Sequence, residues 1–275
     1  MSDAVPLAAL TPPSDAGWQR LADRLRRSVG LILPATSGAR VVARLTPRLR
    51  RLGLTAFDAY AALLDEGDAE LAMAVAMLTT PETGFFREPA QFELLESEFS
   101  RLRPARLRLW SAATACGEEA YGLAMLLSDL QSAGRIGADW AVLGTDVSEP
   151  RLRSAVEGVY AEPRLAPERL RHHTLAGAPS TGLVQMQPGL RERVRFARHD
   201  SRQPLVADER FDAVLLRRLL IYFDAPTRRA VVAHALARLR PGGLLLVGAA
   251  EQRLVDAVGL TALGGGVFRR GVDRP

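Results

Sequence analysis

Three carboxylates, Glu118, Asp146 and Asp200, each follow a short apolar run that reads as a β-strand. The first run ends differently from the other two. Leu107, Leu109 and Trp110 give way to the small residues Ser111–Gly117, and then Glu118–Glu119–Ala120–Tyr121 enters a helical apolar pattern to Leu127. A strand that turns on small residues into a helix lets a ligand approach the backbone at the carboxyl edge of a parallel sheet. The turn lacks the GxGxxG phosphate fingerprint: Trp110 precedes it, and two acids follow its single glycine, Gly117. Paired carboxylates at a helix start repel a pyrophosphate and suit a cationic or hydroxylated group, such as an amine, a sulfonium or a ribose. The same residues also suit an ordinary strand–helix connection in which Glu118 and Glu119 merely favour the helix dipole.

The elements that must position these acids alternate down the chain. Trp140–Gly144 is a short strand ending at Thr145–Asp146, followed by a helix Ser148–Glu157 closed by Gly158. Val194–Arg198 precedes Asp200, and Phe211–Leu216 is followed by a helix from about Pro226 to Leu239. Pro241–Gly243 reads as a turn, Leu244–Val247 as a strand, and Leu254–Leu260 with Gly266–Arg270 as a closing strand pair. Strand–helix–strand repetition with short connections predicts an α/β, doubly wound parallel sheet. A carboxylate after the second strand is where a ribose diol is held, and Asp200 could accept from an adenine amino group. Three carboxyl-edge acids without a glycine-rich cradle favour a phosphate-free nucleoside, the profile of a class I methyltransferase.

Ahead of the sheet, residues 15–80 read as a small all-helical unit after a Pro- and Ala-rich tail, residues 1–14, expected to be mobile. Trp18, Leu21, Leu25 and Val29 mark one buried face, with Asp15 as its candidate cap. A second helix starts near Ser37 and carries Arg40, Arg44, Arg48 and Arg51 on one side; Pro47 should kink it or displace its start. Helices Ala56–Leu64 and Glu70–Leu78 follow. Between Asp15 and Arg51 there are nine arginines and two aspartates, which fits either a solvated face or a docking surface for an acidic partner. Thr79–Glu88 (TTPETGFFRE) reads as a connector and Gln91–Arg101 as a linking helix, the two filling residues 81–103, with residues 104–275 as the α/β domain.

Composition narrows the classes further. The chain has 275 residues, 48% hydrophobic, with a formal net charge of +5, which suits an acidic partner surface without identifying one. No run approaches the length needed to span a bilayer and no signal pattern opens the chain, so a cytoplasmic protein without membrane insertion is expected. The lone Cys116 excludes an intramolecular disulfide framework and a cysteine metal cluster, and the four histidines lack ligand spacing, so no metal is expected. Cys116 itself reads as a small turn residue rather than a nucleophile. All 36 basic residues are arginine, and asparagine is absent too, a pattern that points to codon bias rather than chemistry.

Taken together, TTPETGFFRE, LWSAATACGEEAYGLAM, LGTDVSEPRLRSAVEGVY and FDAVLLRRLLIYFDAPTRRAVV…LRPGGLLLVGAAE resemble, in order and spacing, the signature blocks of the chemotaxis receptor glutamate methyltransferases, the CheR family. The helical unit, with VVARLTPRLRRLGLTAFDAY, is similar as well, so the resemblance runs from about Trp18 to the end of the last block. It implies a class I methyltransferase sheet with an N-terminal all-helical domain and a small antiparallel β insertion at about residues 171–193. It also implies S-adenosyl-L-methionine as cofactor, with S-adenosyl-L-homocysteine as product, and methyl transfer to glutamates on the cytoplasmic helices of a chemoreceptor. By position, Thr83 and Arg87 would approach the methionine end of the cofactor, with Arg87 near the reacting methyl. Glu118 would face its amino-acid end, Asp146 the ribose, and Asp200 with Ser201 the adenine. Arg217 and Arg218 would border the cofactor, and Tyr222 would face the transferred methyl.

The family's basic second helix, which docks on receptor helices, corresponds to Arg40, Arg44, Arg48 and Arg51. Its small antiparallel subdomain, which can hold a receptor's C-terminal peptide, corresponds to the expected hairpin Arg171–Arg193. A monomer is expected. The sequence departs from the family at Pro81, at Asp200–Ser201 and at Arg218, three places where the family carries asparagine or asparagine-leucine. Two other functions stay open at this level: a catalytically weak, cofactor-responsive binding module, and a methyltransferase for another substrate such as RNA. Nucleic acid is the less favoured partner, because the arginine-rich stretch lacks interleaved aromatic stacking residues.

Overall fold

Side chains along the central strands alternate between two apolar clusters, so both faces of the sheet are buried. On β1 (Arg106–Ala112), Leu107 and Leu109 enter one cluster, while Trp110 and Ala112 enter the other. On β7 (Phe211–Leu215), Ala213 and Leu215 oppose Val214 in the same way. Such a two-sided pattern belongs to a parallel sheet covered by helices on each face. The computed structural model of the protein describes residues 10–79, 84–161, 167–176, 182–206, 209–256 and 258–272. It divides into two units, Met1–Thr80 and Pro81–Pro275.

The first unit holds α1 (Asp15–Val29), α2 (Gly38–Arg51), α3 (Phe57–Glu66) and α4 (Asp68–Leu78). Leu21, Leu25, Leu45, Leu49, Tyr60 and Leu64 are buried in its core. The cap of α1 is Ser14, not Asp15: the Ser14 hydroxyl accepts from Gly17 N–H at 3.1 Å, and Asp15 occupies the first turn. Residues 10–14 of the expected tail are described, and two of them are hydrogen-bonded to the helical unit. Thr11 pairs with the α3 start through Thr11 N–H to the Thr55 carbonyl at 2.8 Å, and the Ser14 hydroxyl donates to Asp58 at 2.6 Å. Residues 1–9 of that expectation lie outside the described residues. Helix α2 runs through Pro47, whose side is exposed, so the missing N–H does not end it.

The second unit carries α5 (Pro89–Leu102), β1, α6 (Glu118–Ser132), β2 (Asp139–Asp146), α7 (Glu149–Glu157), β3 (Val159–Ala161), α8 (Pro167–His173), β4 (Thr174–Ala176), β5 (Leu183–Met186), α9 (Pro188–Arg191) and β6 (Val194–Arg198). After these come β7, α10 (Ala225–Arg238), β8 (Leu239–Leu246), β9 (Leu260–Gly264) and β10 (Val267–Arg270). Seven strands form one sheet in the order β6-β2-β1-β7-β8-β10-β9. The first five are parallel to their neighbours and β10 is antiparallel to both β8 and β9. This is the expected doubly wound sheet, closed by an antiparallel pair. Helices α5 and α6 cover one face and α10 the other.

Three expectations shift. The Pro241–Gly243 turn lies inside β8, where an irregular register opposite Phe211–Ala213 absorbs it. Residues Ala249–Leu254 form a short 3-10 helix, so the strand expected from Leu254 begins only at Leu260. The expected hairpin is present as β4 and β5, but β3 joins it to make a three-stranded antiparallel sheet in the order β3-β5-β4. A three-residue strand after Gly158 carries too short a pattern to be read alone; it forms because β5 offers it a paired edge. The loop of the hairpin, residues 177–181, lies outside the described residues. Among the described residues, no helix is long and apolar enough to cross a membrane.

Candidate cofactor site

Sheet order brings the acids to one edge. The carboxyl ends of β6, β2, β1 and β7 are neighbours, and they lead respectively to Asp200, Asp146, Glu118 and the pair Arg217–Arg218. The ladder bonds continue past the strand ends: Thr114 N–H donates to the Thr145 carbonyl at 2.9 Å, and His199 N–H to the Asp146 carbonyl at 3.0 Å.

The turn after β1 has a strained backbone. Ala113, Ala115 and Gly117 all have positive φ, at 60°, 51° and 94°. For alanine this region is sterically costly, and such residues persist where the surroundings fix them. Asp146 is one such support: its carboxylate accepts from Ala115 N–H at 3.0 Å and from Ser148 N–H at 2.9 Å. Gly117 is required twice over, by its φ and by space, because a Cβ there would meet Ala155 Cβ at 2.8 Å and the Tyr160 hydroxyl at 3.0 Å. That hydroxyl donates to the Cys116 carbonyl at 2.7 Å, tying β3 to the turn. Burial pushes the Cys116 thiol up, which keeps it protonated and leaves it a turn residue.

Asp146 is 5% exposed, and burial raises its carboxyl above the usual range against the opposing backbone N–H bonds. A carboxylate has about four acceptor sites, so the backbone donors do not exhaust it. Beside it, the hydroxyls of Thr114 and Ser148, both 1% exposed, have no hydrogen-bond partner among the described residues. A polar, hydroxyl-rich ligand fits such a place, since buried polar groups normally find partners. The edge therefore suits the ribose of a nucleoside.

The other expected site residues fall as follows. Asp200 is engaged by its own loop: Arg202 donates to its carboxylate through Nε at 2.9 Å and Nη2 at 2.6 Å. Ser201 is 8% exposed. Arg87 stands between two residues of positive φ, Phe86 at 52° and Glu88 at 54°, and its carbonyl accepts from Arg217 Nη2 at 2.6 Å. Arg218 also has positive φ, 58°, a region that arginine enters less readily than asparagine or glycine. Tyr222 lies on the 3-10 turn Leu220–Tyr222, half-buried against the cluster that α10 covers. Thr83 and Pro81 lie outside the described residues.

Glu251 and Glu119 were not singled out from the sequence as site residues. Glu251, 2% exposed, accepts from Arg218 N–H at 2.6 Å, Ile221 N–H at 3.1 Å and Gly248 N–H at 3.0 Å. It thereby joins the loops after β7 and β8. The only sequence signal was an acid closely following a buried apolar strand. Glu119 pairs with the buried Arg217, which a linear reading cannot separate from dipole compensation.

The four arginines of α2 do not share one environment. Arg44 donates to the Leu78 carbonyl at 2.6 Å, and Arg48 chelates Glu70, with Nε to Oε1 at 3.0 Å. The Tyr60 hydroxyl donates to the same Glu70 at 2.8 Å. Arg40 and Arg51 are exposed. The expected single face is thus split, because Arg44 and Arg48 border the buried stripe of Val41, Leu45 and Leu49.

Comparison with known proteins covers both units. Residues 81–258 match the family model described as CheR methyltransferase, SAM binding domain, and residues 16–79 match CheR methyltransferase, all-alpha domain. The chemotaxis protein methyltransferase of Klebsiella aerogenes is 35% identical over 258 residues, spanning 89% of this chain and 86% of that protein. That of Escherichia coli is 35% identical over 246 residues, 86% and 85% of the two chains. Chemotaxis protein methyltransferase 2 of Pseudomonas aeruginosa is 34% identical over 259 residues, 89% and 91%.

Proposed function

This chain belongs to the CheR methyltransferase family, and from that premise we propose that it is a protein-glutamate O-methyltransferase acting on the cytoplasmic helices of a chemoreceptor. The observation that carries this reading is the match of both family models, over residues 16–79 and 81–258, across a helical unit and a cofactor-binding unit. Neither the weak binding module nor an RNA substrate gains support from the relatives.

S-adenosylmethionine supplies an electrophilic methyl on a sulfonium and leaves as S-adenosylhomocysteine. In this reading Asp146 accepts from the ribose hydroxyls, and Asp200 with Ser201 borders the adenine. Glu118, in the first turn of α6, faces the amino-acid end, where a carboxylate suits an ammonium group.

The acceptor needs little activation. A glutamate side chain is already ionised at pH 7, so no general base is required. With the cofactor bound, its carboxylate oxygen would be placed in line with the methyl carbon, and transfer would break the carbon–sulfur bond, the electron pair staying on sulfur, to give a methyl ester. Opposite charges disappear as the bond forms, so the protein contributes placement and exclusion of water, the proximity effect worth up to ~7–11 kcal/mol in favourable cases. Arg87 steers the acceptor carboxylate and the Tyr222 hydroxyl donates to it. The exposed Arg40 and Arg51 on α2 dock an acidic receptor helix, while β3–β5 provide a candidate seat for a receptor C-terminal peptide.

The test uses methyl-labelled S-adenosylmethionine and receptor cytoplasmic fragments. Label in the receptor that is released as methanol by mild base identifies a glutamyl ester. Base-stable label, or none, would refute the proposed chemistry.

A further inference from the structure

Arg169, His173 and Asp129 form a cluster that the mechanism above does not use. Arg169 and His173 lie on α8, which runs directly into β4 of the small antiparallel sheet, and Asp129 lies in the last turns of α6. One carboxylate takes both partners. Arg169 Nε donates to Asp129 Oδ2 at 3.0 Å, and His173 Nε2 lies 2.7 Å from Asp129 Oδ1. The His173 side chain is 6% exposed, so one member of this latch is buried and it is more than a solvated surface pair. The backbone holds His173 as well, its carbonyl accepting from Gln187 N–H at 3.0 Å.

The Arg169 guanidinium has a second contact. Its Cζ lies 4.1 Å from the centre of the Phe86 ring, a cation–π arrangement. That ring also stands 4.9 Å from the Phe92 ring of α5. Next to it, Phe85 meets Tyr160 of β3 edge-on at 5.1 Å. The two aromatic residues immediately before Arg87 are therefore each held from the small-sheet region, Phe85 by β3 and Phe86 by α8. Phe86 has a φ of 52°, and a bulky residue stays in that region only where its surroundings over-determine it. Asp129 decides where the guanidinium sits: the Arg169 side chain is 33% exposed, and without its acid the long arginine could carry its head away into water.

We infer that Arg169, oriented by Asp129, is a positioning residue: it fixes Phe86, and through Phe86 the backbone that presents Arg87 to the acceptor. The small antiparallel sheet thus serves the methyl-transfer step itself, besides any peptide it seats. The inference rests on the proposed role of Arg87 in steering the acceptor. Lysine at 169 keeps a cation within reach of the ring, whereas methionine keeps an apolar stem and loses the charge. Asparagine at 129 keeps an acceptor oxygen and loses the charge that orients the guanidinium.

The full chain carrying Arg169→Met, Arg169→Lys, Asp129→Asn, or Arg169→Met with Asp129→Asn is compared with the parent. Two quantities are measured: amide hydrogen exchange of residues 85–88 without cofactor, with α10 as internal reference, and kcat for a receptor fragment at saturating S-adenosylmethionine. Arg169→Met should speed exchange at 85–88 while α10 stays as in the parent, and should lower kcat about threefold or more, the scale of a lost cation–π contact. Arg169→Lys should recover most of that kcat. Asp129→Asn should move both readouts in the same direction, and the double variant should have a kcat no lower than Arg169→Met alone, because Asp129 acts through Arg169. Parental exchange at 85–88 or parental kcat in Arg169→Met would overturn the inference. Exchange accelerated equally in α10, or Arg169→Lys as slow as Arg169→Met, would overturn it too, by reducing Arg169 to a general stabilising role. If the latch variants fail to fold, Phe86→Leu tests the same contact from its other side, and parental exchange at 85–88 there would refute it. Arg87→Ala separates the two levels: undiminished kcat would sink the steering role of Arg87, while exchange at 85–88 in Arg169→Met still decides whether Arg169 holds the segment.

Discussion

Replacing Asp146 by alanine should damage both the cofactor site and the turn that builds it. The side chain is 5% exposed and its carboxylate accepts from backbone donors that include Ala115 N–H at 3.0 Å and Ser148 N–H at 2.9 Å. Leaving a buried donor unsatisfied costs about 1–3 kcal/mol, so losing both bonds should lower the stability of the cofactor-free protein by about 2 kcal/mol or more. The ribose contact, a hydrogen bond to a charged group, adds roughly 1.5–3 kcal/mol of binding energy, or about 10- to 100-fold in Kd. Asp146→Asn keeps the shape and one acceptor oxygen, so it should cost less stability yet still weaken the nucleoside. Calorimetry with S-adenosylhomocysteine, beside thermal unfolding of the same samples, separates the two effects. Because burial raises the Asp146 carboxyl, it takes up its proton at a higher pH than an ordinary aspartate. Parental affinity should therefore start to fall above the usual carboxylate range as the solution is acidified, and the alanine variant should lack that limb. An Asp146→Ala protein that unfolds cooperatively and binds within twofold of the parent would refute the assignment.

Other substitutions address the remaining parts. Arg218→Asn should raise Tm by up to a few degrees, because asparagine tolerates the φ of 58° and the Arg218 N–H to Glu251 bond is backbone; a lower Tm would mean that the arginine side chain holds the loop. Reversing the exposed Arg40 and Arg51 to Glu should raise the receptor KM, more so at low salt, and leave cofactor Kd unchanged; salt-independent, parental kinetics would return that face to plain solvation. Arg48→Glu should instead destabilise the helical unit, since it sets a second acid against Glu70, an effect read as faster amide exchange in α2 and α4. The Arg48 hydrogen bond holds the Glu70 carboxyl below its ordinary value of 4.5, with the Tyr60 hydroxyl adding to it. A depressed folded pKa gives stability that is present above 4.5 and lost as pH falls through the folded value. Glu70→Gln should flatten that acid limb in unfolding titrations, and an unaltered limb would exclude Glu70 as its source.

Much of this protein was decided by its sequence. Alternation at Leu107–Ala112 and Phe211–Leu216, and a 3.6-residue period in α1 and α2, are local consequences of which side chains water expels, so strands and helices could be located from them. The carboxyl-edge acids were legible for the same reason: in a parallel sheet, every strand delivers its next residues to one edge. Tertiary structure alone decided what each charge does there. Arg44 and Arg48 share a helical face with Arg40 and Arg51 in sequence, yet their heads meet the Leu78 carbonyl and Glu70, more than twenty residues away. Glu119 looks like a second dipole charge beside Glu118 until β7 brings Arg217 within 3.3 Å. Strand β3 exists because β5 pairs with it, and Tyr160 reaches the Cys116 carbonyl only through that pairing. Hydrophobic period is written residue by residue along the chain. The partner of a buried charge is chosen by whichever distant group the packed backbone brings within hydrogen-bond reach, because burial makes an unpaired charge too costly to leave.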